Sequence, residues 1–581
     1  MNVMPWKIWI DTGGTFTDCI ATDPSENVFR LKVLSSSVLR VPVVSIEGTA
    51  VSVRMPLTLQ KNALTGYSVR AGNQTRAVMS SDADGELLIL DRPFQKDQNC
   101  TTLDLFTGEE VPVFATRLLT QTPLGIPFPL LEMKLGSTRG TNALLEKKGA
   151  RTALLVTKGF KDLLVIGNQQ RPDLFSLSVE KPSNIYHLVV EMDERILANG
   201  DILQSLTTDS ITSVVKILRR HGIESIAVAL LNSYSNSTHE KLLGEALLAA
   251  GFNFVSLSHS LSRQLKILPR AQTTVVNAYL DPVVRRYLAQ IRKELGSISV
   301  KVMSSAGGLL DLDNFQPKDS LLSGPAGGVV GALEKGRLSG DNNIITFDMG
   351  GTSTDVSRCA NKLDYQFECV VGGQRILSPS LAIETIAAGG GSICSFDGYQ
   401  LLVGPHSAGA DPGPACYGKG GPLTITDVNL VLGRISADHF AIPISVAAST
   451  NAIDVLHEQL TAQGMRISKQ EMMLSFIDIA NEKMAEAIRK ISVQKGHDPS
   501  EYSLLCFGGA GGQHACALAS LLDIKKIIVP YDAGLLSAFG IGTAKSECMR
   551  EMLFLLPLDK ILSELDGHFN SLVADAKQVF A

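Results

Sequence analysis

The sequence predicts an α/β protein of two related lobes, and three observations predict it. First, the segment NIITFDMGGTSTDVS (343–357) is a short apolar run that breaks at Gly350-Gly351. Second, the same device stands at the N-terminus as IWIDTGGTFTDCIA. Asp11 to Asp18 matches Asp348 to Asp355 at six of eight positions: Asp, Gly, Gly, Thr, Thr and Asp. Third, another glycine turn, Gly508-Gly509-Ala510-Gly511-Gly512, lies between the apolar run SLLCF and the helical run HACALASLL.

Each pattern carries chemistry. Glycines lack Cβ, so backbone N–H groups can be brought against a bulky anion and the chain can turn sharply. Thr12, Thr15, Thr352 and Thr354 add hydroxyl donors beside Gly13-Gly14 and Gly350-Gly351, and Asp355 closes the second copy. Asp11 and Asp348 supply carboxylates of the kind that hold a hydrated Mg²⁺. One such turn alone reads equally well as a polar hairpin. Two copies imply a duplicated strand–turn–strand unit, one per lobe, facing across a cleft. Gly508, Gly509, Gly511 and Gly512, after a strand and before a helix, leave room for a flat adenine ring. The order phosphate turn, phosphate turn, adenosine turn is that of the actin, sugar-kinase and heat-shock-ATPase superfold, a duplicated RNase H-like domain. It predicts ATP and Mg²⁺ as cofactors.

In chain order, residues 6–40 read as WKIWI, the first turn, CIAT, a turn at Asp23-Pro24-Ser25 and then VFRLKVL. Residues 41–130 are rich in Pro, Gly and Thr, with short alternating runs such as GELLIL and VPVFATRLL, and predict a small β-rich insertion. LGSTRGTNALLEKKGA places Ser137, Thr138, Arg139 and Asn142 around a turn that opens a helix ending at Gly149. Such a group suits an anionic or carbonyl-bearing ligand, and equally an ordinary helix start with an exposed Arg. TALLVTKGF and IESIAVALL read as buried strands, ITSVVKILRRHG and residues 237–250 as helices, and a further helix begins near Asp281-Pro282. SGPAGGVVGALEKGR predicts a small-residue helix packed in the interior and contains no P-loop lysine. The run GPHSAGADPGPACYGKGG is long for a loop between apolar segments, which points to a shaped site loop. LSFIDIANEKMAEAIRKISVQKG predicts a long helix stopped by Gly496, and the tail ends in another. His514, where the last glycine turn meets its helix, reads as catalytic or as a packing residue at the helix start.

At 581 residues the chain predicts more than one domain. A net charge of −5 and the absence of a long basic run argue against nucleic acid or an anionic membrane as partner. No apolar run approaches the roughly 18 residues of a membrane span. The apolar N-terminal stretch runs straight into Asp11 rather than into a signal-peptide pattern, so a cytoplasmic location is expected. Nine cysteines show neither CxxC nor zinc-ribbon spacing, and ten histidines show no HExxH, which predicts reduced thiols and no His-based metal site.

The strings IDTGGTFTD, GTNALLEKKGA, FDMGGTSTDV, AAGGGSI, VGPHSAGADPGPACYG, TDVNLVLGR, FGGAGGQHACALA and GLLSAFGIG together resemble the hydantoinase A/oxoprolinase family over nearly the whole chain. LGSTRGTNALL and the β-rich insertion resemble its 5-oxoprolinase-like branch. The resemblance implies an N-terminal domain (1–205), a core (206–545, second lobe from about 342) and a truncated C-terminal segment (546–581). It implies a hydrolase component that transfers the ATP γ-phosphate to the carbonyl oxygen of a cyclic amide such as 5-oxoproline or a hydantoin. It also implies a B-type subunit or fused half as partner, and an oligomer. Asp11 and Asp348 would organise Mg²⁺, while Arg139, Asn142, Glu384, His406 and Asp411 would face substrate. Two departures stand out. Ala382-Ile383-Glu384-Thr385 replaces the Asp-Ile-His-Thr run of many relatives, and the family normally continues beyond position 581. Two alternatives remain open: an ATP-dependent ketone carboxylase subunit, and a nucleotide-driven switch of the heat-shock-ATPase type.

Overall fold

Side chains in the strand Trp6–Thr12 alternate between two faces, which buries Ile8 and Ile10 completely, and this strand organises the first sheet. The computed structural model describes residues 4–95, 101–170, 175, 177–178, 184–440 and 442–579. It divides into two compact units. The first comprises Met1–Gly324, Gln366–Ser380 and Ala544–Ala581; the second comprises Pro325–Tyr365 and Leu381–Thr543.

In the first unit, Trp6–Thr12 pairs antiparallel with Phe16–Thr22, which pairs antiparallel with Val28–Leu34. On its other side Trp6–Thr12 pairs parallel with Leu131–Ser137, and that strand pairs parallel with Ser299–Met303. The second unit repeats this plan. Asn343–Met349 pairs antiparallel with Thr354–Ala360, which pairs antiparallel with Ile383–Ile386. Asn343–Met349 also pairs parallel with Ser503–Phe507, which pairs parallel with Ile527–Ile528. In order of position the strands run third, second, first, fourth, fifth in both sheets, the RNase H-like order. The duplication read from two eight-residue turns is therefore a duplication of whole sheets.

The β-rich insertion is a closed six-stranded barrel between Leu39 and Phe106, filled by Val41, Val51, Val69, Leu88, Leu103 and Leu105. VPVFATRLL, expected as a strand-like run, is instead the helix Val111–Leu119. Pro112 sits in its first turn, where a missing N–H costs nothing, and every residue of this helix is buried. A four-stranded parallel sheet holds Thr152–Thr157, Leu188–Met192, Ser225–Ala229 and Phe254–Leu257.

The helix expected to begin near Asp281-Pro282 runs from Ile267 to Leu295, with Pro282 inside it. Proline at 282 cannot donate to the Ala278 carbonyl. Ser225 Oγ donates to that carbonyl instead, at 2.6 Å, so the helix continues through the proline. The helix opened by Arg139 ends at Leu145 rather than Gly149. Position 149 needs glycine for another reason: a Cβ there would meet the Tyr279 ring at 2.2 Å.

The small-residue helix Ser323–Leu338 forms as expected. Within the second unit its Gly327 and Gly331 lie against the helix Leu536–Thr543, where a Cβ on Gly540 would stand 1.8 Å from the Gly327 carbonyl oxygen. The long helix Lys469–Ile491 buries Met472, Met473, Phe476, Ile477, Ala480, Met484, Ala487, Ile488 and Ile491, a stripe at three- and four-residue spacing. It ends at Ile491, and a 3₁₀ turn carries the chain on to Gly496. No helix among the described residues is long and apolar enough to cross a membrane.

Candidate functional site

The first turn lies at the end of the central strand of the first sheet. Gly13 N–H donates to the Phe16 carbonyl at 3.0 Å and closes the hairpin. Ser35 supports it from the side: its N–H donates to the Thr15 carbonyl, and its Oγ to the Gly13 carbonyl at 2.7 Å. Asp11 stands opposite Asp18 across the strand pair, and Asp18 stands opposite Lys32 on the third strand, to which it is ion-paired at 2.5 Å. On the other side Asp11 faces Gly136. Burial, reinforced by the charge of Asp18 and opposed by Lys32, pushes Asp11 up to about 7. Its Oδ1 is buried and has no hydrogen-bond partner among the described residues.

Arg139 and Asn142 belong to this turn. Thr138 donates to the Thr12 carbonyl through both N–H (2.9 Å) and Oγ1 (3.0 Å), which docks the start of helix Arg139–Leu145 onto the hairpin. Asn142 Nδ2 donates to Thr138 Oγ1 at 3.3 Å and lies 3.9 Å from where a Cβ on Gly14 would be. The Arg139 guanidinium stacks on the Tyr287 ring, 5.4 Å from its centroid.

The second unit brings three glycine segments together. Gly350 N–H donates to the Ser353 carbonyl and forms the second turn. Gly390 and Gly391 back it, donating to the Gly350 carbonyl at 3.1 Å and the Gly351 carbonyl at 2.6 Å. A Cβ on Gly389 would stand 2.7 Å from the Thr352 backbone, so this backing strip can only be glycine. The third turn joins at Gly508, whose φ is +78° and whose imagined Cβ falls 2.3 Å from Asp348 Oδ1. Ala510 N–H donates to the Met349 carbonyl at 2.9 Å. Beyond these contacts the surface is open: a Cβ on Gly351, Gly509 or Gly512 would have nothing within 4 Å. Gly351 does not have positive φ, so no backbone strain attaches to that position.

Asp355 stands opposite Asp348, as Asp18 stands opposite Asp11. Its partner is a hydroxyl, Thr385 Oγ1, at 2.5 Å, and burial raises its pKa. Glu384 neighbours this row but is ion-paired with Lys490 at 2.6 Å. His406 is exposed on the strand Leu401–Ser407, and Asp411 is exposed with Lys419 at 3.1 Å. Among the described residues no group of three or more His, Cys, Asp or Glu is placed to hold a metal ion.

Two features escaped sequence reasoning. The glycine strip 389–391 was visible only as a motif string, because its role is to leave space for a turn 40 residues earlier. Asp427 is fully buried and pins the 408–424 loop. It accepts from Ala415 N–H (3.1 Å), Cys416 N–H (2.7 Å), Thr424 N–H (2.9 Å), Thr424 Oγ1 (2.8 Å) and Ser449 Oγ (2.7 Å). An Asp three residues after a Thr at a helix start signals a capping box, but not its long-range donors.

His514 is a buried packing residue. Nδ1 lies 2.7 Å from Asn481 Oδ1 and Nε2 lies 3.2 Å from Asn429 Nδ2. These partners require a neutral ring with the proton on Nδ1. Burial, with a smaller contribution from Arg434, pulls its pKa down to about 4.

Two family models match the sequence: one described as hydantoinase/oxoprolinase over residues 270–550, and its N-terminal region over residues 129–251. The chain is 39% identical over 507 residues to a 5-oxoprolinase of Dictyostelium discoideum, covering 78% of this chain and 40% of that protein. It is 33% identical over 469 residues to an uncharacterised protein of Methanocaldococcus jannaschii, covering 76% of this chain and 68% of that protein. The crystal structure of an ATP-dependent caprolactamase from Pseudomonas jessenii superposes with a TM-score of 0.71 at 27% identity, covering 98% of this chain and 77% of that one. A nucleotide-free acetone carboxylase structure gives 0.68 at 21% identity, covering 99% and 76%, and shares the fold. The chain spans about two fifths of the length of the Dictyostelium 5-oxoprolinase it matches.

Proposed function

This chain belongs to the hydantoinase/oxoprolinase family, and from that premise we propose that it is the nucleotide-handling component of an ATP-dependent cyclic-amide hydrolase. The observation that carries the reading is the duplicated sheet with the same Asp-x-Gly-Gly turn at the same strand end in both units. In this reading both turns are phosphate turns: Gly13, Gly14 and Thr15, and likewise Gly350, Gly351 and Thr352, offer N–H and hydroxyl donors to the phosphates of a nucleotide. Gly508 to Gly512 take the adenosine.

Asp11 and Asp348 would hold Mg²⁺. The buried, unpartnered Oδ1 of Asp11 fits that role, because a desolvated carboxylate oxygen is stabilised by a cation. When bound, the ion would offset charge on the transferring phosphoryl group. The chain's own contribution is to hold the γ-phosphate in line with an amide carbonyl oxygen and to exclude water until transfer is complete. Transfer makes the carbon electrophilic; one water adds to it, the ring C–N bond breaks as the nitrogen takes up a proton, and a second water releases phosphate from the resulting acyl phosphate to leave the carboxylate. Arg139, on its Tyr287 platform, and Asn142 are the substrate-side candidates beside the first turn. His406, exposed on its strand, and Asp411, on the loop that follows, are further candidates, and Glu384 must leave Lys490 to take part.

The 5-oxoprolinase relatives favour a lactam over a ketone as substrate. A second component completes the reaction in this reading; one relative is named caprolactamase subunit alpha. Purified chain is assayed for ATP turnover with 5-oxoproline, hydantoins and caprolactam, and separately with ketones plus bicarbonate. Each arm is run with and without a B-type component. The expected result is weak turnover alone, and lactam-dependent turnover with stoichiometric ring opening only when the second component is present. Ketone-dependent turnover, or full ring opening by the lone chain, overturns it.

A further inference from the structure

A buried row of amides runs from the long helix Lys469–Ile491 to the rim of the third glycine turn. Asn481 is 2% exposed, and His514 and Asn429 are fully buried. His514 Nδ1–H donates to Asn481 Oδ1 at 2.7 Å, and its Nε2 accepts from Asn429 Nδ2 at 3.2 Å. The same Asn429 Nδ2 donates to Gln513 Oε1 at 2.9 Å. Both N–H groups of Asn429 are thereby committed, one to each neighbour. Gln513 is half-buried, at the exit of a turn whose Gly509 and Gly512 face open space.

The row fixes the rotation of the Gln513 carboxamide. Its oxygen is taken by Asn429, so the group it can offer outward is its NH₂, a pure donor. His514 makes this one-directional. At neutral pH its proton is held on Nδ1 by Asn481, so Nε2 can only accept, and Asn429 must therefore turn its own NH₂ toward His514 and Gln513. We propose that Gln513 is a base-reading residue for the purine held on the 508–512 turn. It donates a carboxamide N–H to a ring nitrogen of that purine, and His514 and Asn429 act as its positioning residues. This rests on the nucleotide-binding reading above and adds to it which side chain reads the base and with which hydrogen-bond polarity.

The test is calorimetric binding of ATP and of its 1-deaza, 3-deaza and 7-deaza analogues, each lacking one ring-nitrogen acceptor. The wild-type chain is expected to bind one of the three about tenfold more weakly than ATP, the effect of one hydrogen bond of about 1.4 kcal/mol. In Gln513→Ala that penalty should shrink to less than about twofold, with ATP itself bound about tenfold more weakly. In Asn429→Asp the donor facing Gln513 becomes an acceptor and the carboxamide rotates. The penalty should then disappear although Gln513 is present, an effect a purely structural role would not produce. Gln513 is a rim residue, so its Ala variant decides the matter even if the buried substitution fails to fold. Equal binding of all four nucleotides, or a penalty that persists in Gln513→Ala, overturns this inference and leaves the nucleotide reading standing. A wild-type chain that binds no nucleotide overturns both.

Discussion

Acidification should unlock the second unit through His514, and the size of the effect follows from its environment. The ring is fully buried between Asn429 and Asn481, and its pKa falls from 6.5 to about 4. The unfolded chain takes up a proton at this residue below pH 6.5, while the folded chain does so only near pH 4. Stability contributed by the neutral ring is thus fully present above pH 6.5 and is lost as pH falls through that window. At about 1.4 kcal/mol per pH unit, the loss approaches about 3 kcal/mol at the acid end. In His514→Asn the side-chain N–H can still reach Asn481, but nothing at that position titrates between pH 7.5 and 4.5. Hydrogen exchange of peptides spanning 469–491 and 503–521, compared at matched pH, isolates the difference. Wild type should lose about 2.5 kcal/mol more protection than the variant between pH 7.5 and 4.5. Parallel loss in the two proteins would show that the buried ring is not the titrating group.

Gly351→Val should reduce ATP affinity at least tenfold with thermal stability unchanged. A Cβ at this position has no protein atom within 4 Å, and its φ is not one that strains a side chain; calorimetry beside a melting curve checks both halves. Asp427→Ala removes the acceptor of five hydrogen bonds in a fully buried site. It should destabilise the 408–424 loop by about 3–5 kcal/mol, seen as accelerated proteolysis within that loop.

The parts legible in the sequence were those encoded locally. An apolar run, two glycines and flanking threonines specify a strand and its turn within 15 residues, and the repeat of that string exposed the duplicated sheet. What stayed hidden depends on residues far apart in the chain. Pro282 reads as a helix boundary because nothing near it in sequence shows Ser225 satisfying the freed Ala278 carbonyl. VPVFATRLL reads as strand by composition, yet a proline in the first turn and burial on all sides make it a helix. Glu384 reads as a site carboxylate, while its partner Lys490 lies 106 residues later.

The two copies of the turn also differ in a way their shared motif conceals. In the first sheet the row across neighbouring strands is Asp11, Asp18, Lys32, so one cation offsets two carboxylates. In the second it is Asp348, Asp355, Thr385, and a hydroxyl takes the place of the lysine. The third strand lies outside the repeated string in both copies, so the shared motif does not specify what it places beside the second carboxylate. A lysine within reach lowers the cost of keeping Asp18 ionised beside a buried Asp11; a threonine satisfies Asp355 by hydrogen bonding alone. On the proposed nucleotide reading, the turn would set where an anionic ligand approaches, and the third strand how much negative charge meets it there.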